Sequence, residues 1–174
     1  MRKIVLLRGV TPTGRNRIPK MAYLAEILEN AGFSQVKTFI QSGNIALNTE
    51  LSDTDTCNLI HRVILQYIGA DLSVIIKDVL QLAASVKENP FKENYDESRV
   101  HLVFTNDPID NEKLNKLLQK DFADEKLWAG SECLYMYLPR EAARKTLNTN
   151  YLERQLGITA TMRKLSVISR LSDM

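Results

Sequence analysis

Gln35-Val36-Lys37-Thr38-Phe39-Ile40-Gln41-Ser42-Gly43-Asn44-Ile45-Ala46-Leu47-Asn48 decides the fold. Residues 35–40 and 45–48 read as strands, and the polar Gln41-Ser42-Gly43-Asn44 between them reads as a tight turn, so the stretch is a hairpin. Its neighbours on both sides set its context. Upstream, residues 3–10 carry Ile4-Val5-Leu6-Leu7, apolar on both faces, the pattern of a covered central strand. Thr11-Pro12-Thr13-Gly14-Arg15-Asn16-Arg17 is a turn-rich loop, and Pro19 suits the first position of the following helix. Met21, Leu24, Leu28 and Ala31 then recur at three- and four-residue spacing until Gly32. Downstream, a helix over residues 52–68 carries Cys57, Ile60, Ile64 and Ile68 on one stripe and ends at Gly69, and residues 72–77 read as a strand.

That order, β-α-β-β-α-β, is the split βαβ arrangement of ferredoxin-like folds. It then repeats. Residues 99–105 read as a strand, 110–121 as a helix with Leu114, Leu117 and Leu118 inward, and Lys126–Ala129 with 133–139 as a hairpin around Gly130-Ser131. A helix over residues 150–156 ends at Gly157, residues 158–163 form a closing strand, and Leu165–Leu171 is a short terminal helix. The halves share element order without residue-level identity. The expected fold class is therefore α+β: two ferredoxin-like (βαββαβ) lobes, antiparallel sheets with helices on one face. Lobe one spans residues 1–78, a linking helix (Val79–Lys87) and loop span 79–98, and lobe two spans 99–174. Asn89-Pro90-Phe91 breaks the helical pattern. Lobes of this size are near the lower limit for independent folding, so they are expected to pack together.

Composition narrows the function classes. The 174 residues are 44% hydrophobic and 25% charged, the profile of a globular chain with ample core. Lys+Arg 23 against Asp+Glu 21 leaves a net charge of +2, so any basic site must be local. Cys57 and Cys133 have no CxxC partner, and His61 and His101 are the two histidines, so no spaced metal-ligand set exists. Both thiols read as core residues. The apolar run at residues 4–7 is too short for a signal-peptide core or a membrane span. The expected setting is cytoplasmic, with no membrane partner, metal or cofactor, and with the oligomeric state open.

In a split βαβ the exit of the first strand and the hairpin joining the second and third lie at one end of the sheet. Arg8, Gly9, Arg15, Asn16 and Arg17 are thereby expected beside Gln41, Ser42, Gly43 and Asn44, with the start of the first helix nearby. Three arginines, two amides and a hydroxyl describe a site for phosphate or carboxylate, which arginine binds bidentately. The competing account is a structural or protein-interaction module in which Arg8 pairs with an acid, Gly43 supplies a positive φ and Asn44 caps the turn. Arg163 is a further candidate for the site, and Arg144-Lys145 with Asn148 and Asn150 forms a second basic patch. There the default role of Asn148 or Asn150 is as a helix N-cap.

Two alternatives rest on the same topology. Acylphosphatases place an arginine in the first loop and an asparagine on the sheet edge; Arg8 or Arg15 and Asn44 would take those parts, though the acylphosphatase loop motif is absent. Ser42 lacks a G-x-S-x-G context and a placed base, and no Walker loop or G-x-G-x-x-G is present, so no catalytic motif argues for an enzyme. In Leu134-Tyr135-Met136-Tyr137-Leu138 both tyrosines share one strand face, the way RNA-recognition modules present stacking rings. Leu102 and Phe104 are then expected toward the helices, with His101 and Val103 beside the tyrosines. Apolar residues on both faces of the first lobe's strands, Val5, Leu7 and Phe39 among them, favour burial of such open faces instead, and tyrosine is common at packed surfaces.

Leu6-Leu7-Arg8-Gly9-Val10, Gly14-Arg15-Asn16-Arg17-Ile18-Pro19 and Gln41-Ser42-Gly43-Asn44 carry a resemblance that continues to the C-terminal part. It runs through Asn89-Pro90-Phe91, Asn150-Tyr151-Leu152-Glu153, Leu156-Gly157 and Thr159-Ala160-Thr161-Met162-Arg163. On these motifs the chain resembles the bacterial domain-of-unknown-function 1697 family over nearly its whole length. The resemblance implies a two-lobed ferredoxin-like α/β protein with no established activity. The chain departs from the family's usual pattern at Thr11-Pro12-Thr13, where relatives carry a second glycine and an asparagine, and at Lys164-Leu165-Ser166-Val167, where they carry Asn-Trp-Asn-Thr.

Overall fold

The computed structural model describes residues 1–40 and 43–174. The chain divides into two compact units, Met1–Val79 with Met174, and Leu80–Asp173. The first contains β1 (Arg2–Arg8), α1 (Met21–Asn30), β2 (Ser34–Phe39), β3 (Asn44–Asn48), α2 (Asp53–Tyr67) and β4 (Ser73–Lys77). Its sheet has the order β2-β3-β1-β4 with every neighbouring pair antiparallel, which is the ferredoxin-like arrangement. Strand alternation sends Val5, Leu7, Ile45, Leu47, Val74 and Ile76 toward Leu24, Leu28, Ile60 and Ile64 of the two helices. Each such aliphatic side chain contributes about 1.5–3 kcal/mol on burial. Ile4, Leu6, Ala46 and Ile75 alternate onto the opposite face.

Helix α2 starts as its sequence dictates: the Ser52 hydroxyl accepts from the Asp55 N–H at 3.1 Å, and Asp53 and Asp55 occupy the positive end of the dipole. Helix α1 differs from expectation. Lys20 is extended (φ −144°, ψ 128°) and precedes the first helical residue, so Pro19 belongs to the loop and not to the first turn. Edge strand β2 carries a bulge between Ser34 and Lys37, with Gln35 at φ 49°, which interrupts the regular edge ladder.

The second unit contains α3 (Val79–Lys87, entered from the first unit at Val79), a 3-10 turn at Glu97–Arg99, β5 (Val100–Thr105) and α4 (Asn111–Leu118). It continues with β6 (Lys126–Ala129), β7 (Leu134–Tyr137), α5 (Thr149–Leu156), β8 (Ala160–Lys164) and α6 (Leu165–Leu171). The sheet order β6-β7-β5-β8 reproduces that of the first unit, all pairs antiparallel. Short helices α4 and α5 are held at their N-termini by Asp110 and Asn148, whose side chains accept from the N–H groups of Lys113 and Tyr151 at 3.0 and 2.8 Å. Asn148 is thus the cap.

One expected facing is reversed. Leu102 stands opposite Tyr135 in the ladder, so Leu102 and Phe104 share the tyrosine face, whereas Val103, Leu134 and Met136 pack with Leu117, Leu152 and Leu156 of α4 and α5. All of residues 100–104 are buried, so apolar alternation in β5 offered no arbiter between the faces. Helix α3 covers that tyrosine face. Tyr135 is 0% exposed and its hydroxyl donates to the Ser85 carbonyl at 2.6 Å. A Cβ at Gly130 would lie 2.6 Å from the Tyr135 ring, so glycine is required there. Tyr137 is half-buried against Phe91 and Tyr95, with centroids 5.7 and 4.9 Å away, and its hydroxyl accepts from the Asp96 N–H. Stacking of RNA bases on Tyr135 is therefore closed off by the second unit's own α3.

Among the described residues no helix is long and apolar enough to cross a membrane.

Candidate functional site

At the end of the first sheet, β1 stops at Arg8 and turns at Gly9, whose φ of 102° suits glycine. The loop that follows folds on itself: the Thr11 N–H donates to Asn16 O at 3.1 Å, and the Arg17 N–H donates to Gly14 O at 3.3 Å. It is also tied to the turn between α2 and β4. Arg15 Nε donates to Gly69 O at 3.0 Å, and Asn16 Oδ1 accepts from the Asp71 N–H at 3.0 Å. Arg8, half-buried, stands opposite Ser73 at the start of β4.

The hairpin end meets the same place. Gly43 O accepts from the Leu7 N–H at 3.0 Å, and a Cβ at Gly43 would lie 2.9 Å from Leu7 Cβ and 3.1 Å from a Val10 methyl. Gly43 also has a φ of 74°, so both conformation and space demand glycine. Asn44 is fully buried, and its side-chain amide donates to Phe39 O at 3.1 Å, across the base of the turn. The fold thus gathers Arg8, Gly9, Arg15, Asn16, Arg17, Gly43 and Asn44 at one sheet end, with Asn44 built into the scaffold. Gln41 and Ser42 lie outside the described residues. Arg163 is in β8 of the second unit, 9% exposed, with Nη1 donating to Thr161 Oγ1 at 2.6 Å and Met162 O at 2.9 Å.

The charge pattern at this end matters. Arg15 and Arg17 are both exposed, and among the described residues neither has a carboxylate partner. The nearby carboxylate of Asp71 is engaged elsewhere, with Oδ1 2.8 Å from His61 Nε2. Arg15 is held through Nε alone, so its terminal nitrogens keep their donors. The turn between Gly69 and the strand from residue 72 is legible in the sequence, but its tie to the Arg15 loop and the His61–Asp71 pair carry no local signal there. In the second unit, Arg144 donates to Asp121 O. Burial pushes the Cys133 thiol up to about 11 and holds His101 below the ordinary imidazole range, and Tyr135 is raised for the same reason. Among the described residues no cluster of three or more His, Cys, Asp or Glu could hold a metal ion.

Residues 1–135 match the model of a family described as a protein of unknown function, DUF1697. The chain belongs to this family. A solved structure of a conserved bacterial protein from Streptococcus pneumoniae superposes on this DUF1697 protein with a TM-score of 0.75 at 19% sequence identity, covering 99% of this chain and 97% of that one. At such identity the likeness speaks to the fold, and it extends over both ferredoxin-like units of the DUF1697 chain. No curated protein matches.

Proposed function

We propose that this DUF1697 protein is a bacterial cytosolic protein that binds a phosphate- or carboxylate-bearing ligand at the end of its first sheet. The observation that carries the reading is Arg15. Its Nε is fixed on Gly69 O and its loop is fixed through Asn16 on Asp71, so the guanidinium is pre-positioned while its terminal donors remain available. Arg17 in the same loop and Arg8 at the strand end add positive charge. Among the described residues the exposed Arg15 and Arg17 have no carboxylate partner, which favours this reading over an internally salt-bridged structural edge. An acylphosphatase-like role is less favoured, since Asn44 is fully buried and its amide serves Phe39 O.

A thermal-shift titration with inorganic phosphate, acetyl phosphate and succinate tests it. Specific binding stabilises the native state by about 2.7 kcal/mol at a ligand concentration a hundred times Kd. The expected result is a raised Tm for at least one anion in the wild type and none in Arg15→Ala. No shift with any of the three, or equal shifts in both proteins, overturns it.

A further inference from the structure

The second unit holds a groove that the anion site does not use. It occupies about 400 Å³ between the α4–β6 connection, strand β6 and the segment around Pro90, a volume in the range that small ligands fill. The strand register sets what borders it. Trp128 stands directly opposite Tyr135 and Lys126 directly opposite Tyr137, so both belong to the tyrosine face of edge strand β6. On that face Tyr137 packs against Phe91 and Tyr95, with centroids 5.7 and 4.9 Å away. Trp128 is the diagonal neighbour of Tyr137 across the ladder, a separation that large rings span. Phe91, Tyr95, Lys126 and Trp128 thus line one concavity from one face of the sheet.

These side chains are not equally engaged. Phe91, Tyr95 and Tyr137 pack on one another, Phe91 and Tyr95 edge-to-face at 5.1 Å. The Trp128 indole is 55% exposed and, among the described residues, meets no other ring. Lys126, two residues away on the same face, is exposed and has no carboxylate partner among the described residues. The carboxylates that line the groove have other partners: Glu125 Oε1 accepts from the N–H groups of Thr146 and Leu147 at 2.6 and 2.9 Å, and Asp121 Oδ1 accepts from the Ala123 N–H at 2.9 Å.

An unstacked indole with an unpaired ammonium beside it suits a flat ring that carries an anion, because the ring gains stacking area and the charge gains a strong donor. A nucleobase with its phosphate has that form, and every base offers a face to stack. Local charge separates a nucleotide from a polynucleotide. Lys120 and Lys126 are matched along the groove by Asp121 and Glu125, which leaves no excess of positive charge to follow a chain of phosphates. From this juxtaposition we infer that the groove binds a mononucleotide, with the base stacked on Trp128 beside Tyr95 and the phosphate held by Lys126.

Trp128 is the chain's single tryptophan, so its emission reads this groove. Full-length protein is titrated with adenosine 5′-monophosphate (AMP), with adenosine, which lacks the phosphate, and with ribose 5-phosphate, which lacks the base. The expected results are saturable quenching by AMP, at least fivefold weaker binding of adenosine, and no quenching by ribose 5-phosphate. Lys126→Gln should lower the affinity for AMP to that for adenosine and should not alter adenosine itself, a split that damage to the fold would not produce. The Lys126 side chain is exposed, and circular dichroism checks that the variant is folded. No saturable quenching by AMP, equal quenching by ribose 5-phosphate, or equal loss of AMP and adenosine in Lys126→Gln overturns the inference. So does binding of pentaadenylate more than tenfold tighter than AMP, which would assign the groove to single-stranded nucleic acid.

Discussion

In the first unit the connection from the first strand to the first helix runs over residues 9–20 and is tied by Arg15 and Asn16 to the α2–β4 turn, whereas the equivalent connection in the second unit runs over residues 106–110 and leads straight into a helix capped by Asp110. The helices differ in the same sense: 10 and 15 residues in the first unit, 8 and 8 in the second. Shorter helices cover less of a sheet face. The second unit adds α3 over the opposite face, where Tyr135 is sealed by Ser85, and α6 against β5 and β8. One strand order therefore tolerates two distributions of burial.

That contrast can be broken most forcefully at Tyr135. Tyr135→Ala removes a fully buried ring and the bond to Ser85 O, and should destabilise by about 3–5 kcal/mol in chemical denaturation. The loss should be concentrated in amide protection of the second unit; uniform loss in both units would mean that they are not distinguishable in stability. Next is Gly43→Ala in the first unit. A positive φ and a Cβ 2.9 Å from Leu7 Cβ predict a loss of about 1–3 kcal/mol, read by the same denaturation.

Smaller effects sharpen the comparison of the two connections. Asn16→Ala removes the acceptor of the Asp71 N–H and should cost about 1 kcal/mol, with faster hydrogen exchange at Asp71. Asn148→Ala, the corresponding local loss in the second unit, should also cost about 1 kcal/mol and fray α5. His101 adds a pH effect. Burial holds its pKa below the ordinary 6.5, so the unfolded chain takes up that proton first as pH falls. Its contribution is neutral above 6.5 and destabilising below it, and His101→Gln should flatten the decline of Tm between pH 6.5 and 5. Last, with its thiol pushed up to about 11, Cys133 should resist iodoacetamide at pH 8 in the native protein, and alkylate once denatured.

Much of the fold was legible because its signals are local. The stripe of Cys57, Ile60, Ile64 and Ile68 and the stop at Gly69 place α2 to within a residue or two, 52–68 against the observed Asp53–Tyr67. Val79–Lys87, Lys126–Ala129 and Leu165–Leu171 fall where periodicity and turn residues put them. The order of elements then leaves the split βαβ as the arrangement that pairs every strand. The gathering of Arg8, the Arg15 loop and Gly43 at one end follows from that topology. What those side chains do there does not follow from it. Asn44 is drawn wholly into the scaffold, and Arg15 and Asn16 choose backbone partners at Gly69 and Asp71 that are 54 and 55 residues away in sequence.

The sequence by itself determined the strand and helix order, the cap at Asn148 and the need for a positive φ at Gly43, since spacing, capping chemistry and backbone sterics act over a few residues. The tertiary structure alone decided which face of β5 meets the helices, that α3 closes over Tyr135, and that the buried Glu125 carboxylate accepts from the N–H groups of Thr146 and Leu147. Those outcomes depend on which distant surfaces exclude water together. A strand that is apolar on both faces, or a carboxylate whose partners lie some twenty residues onward, carries no local mark of the choice.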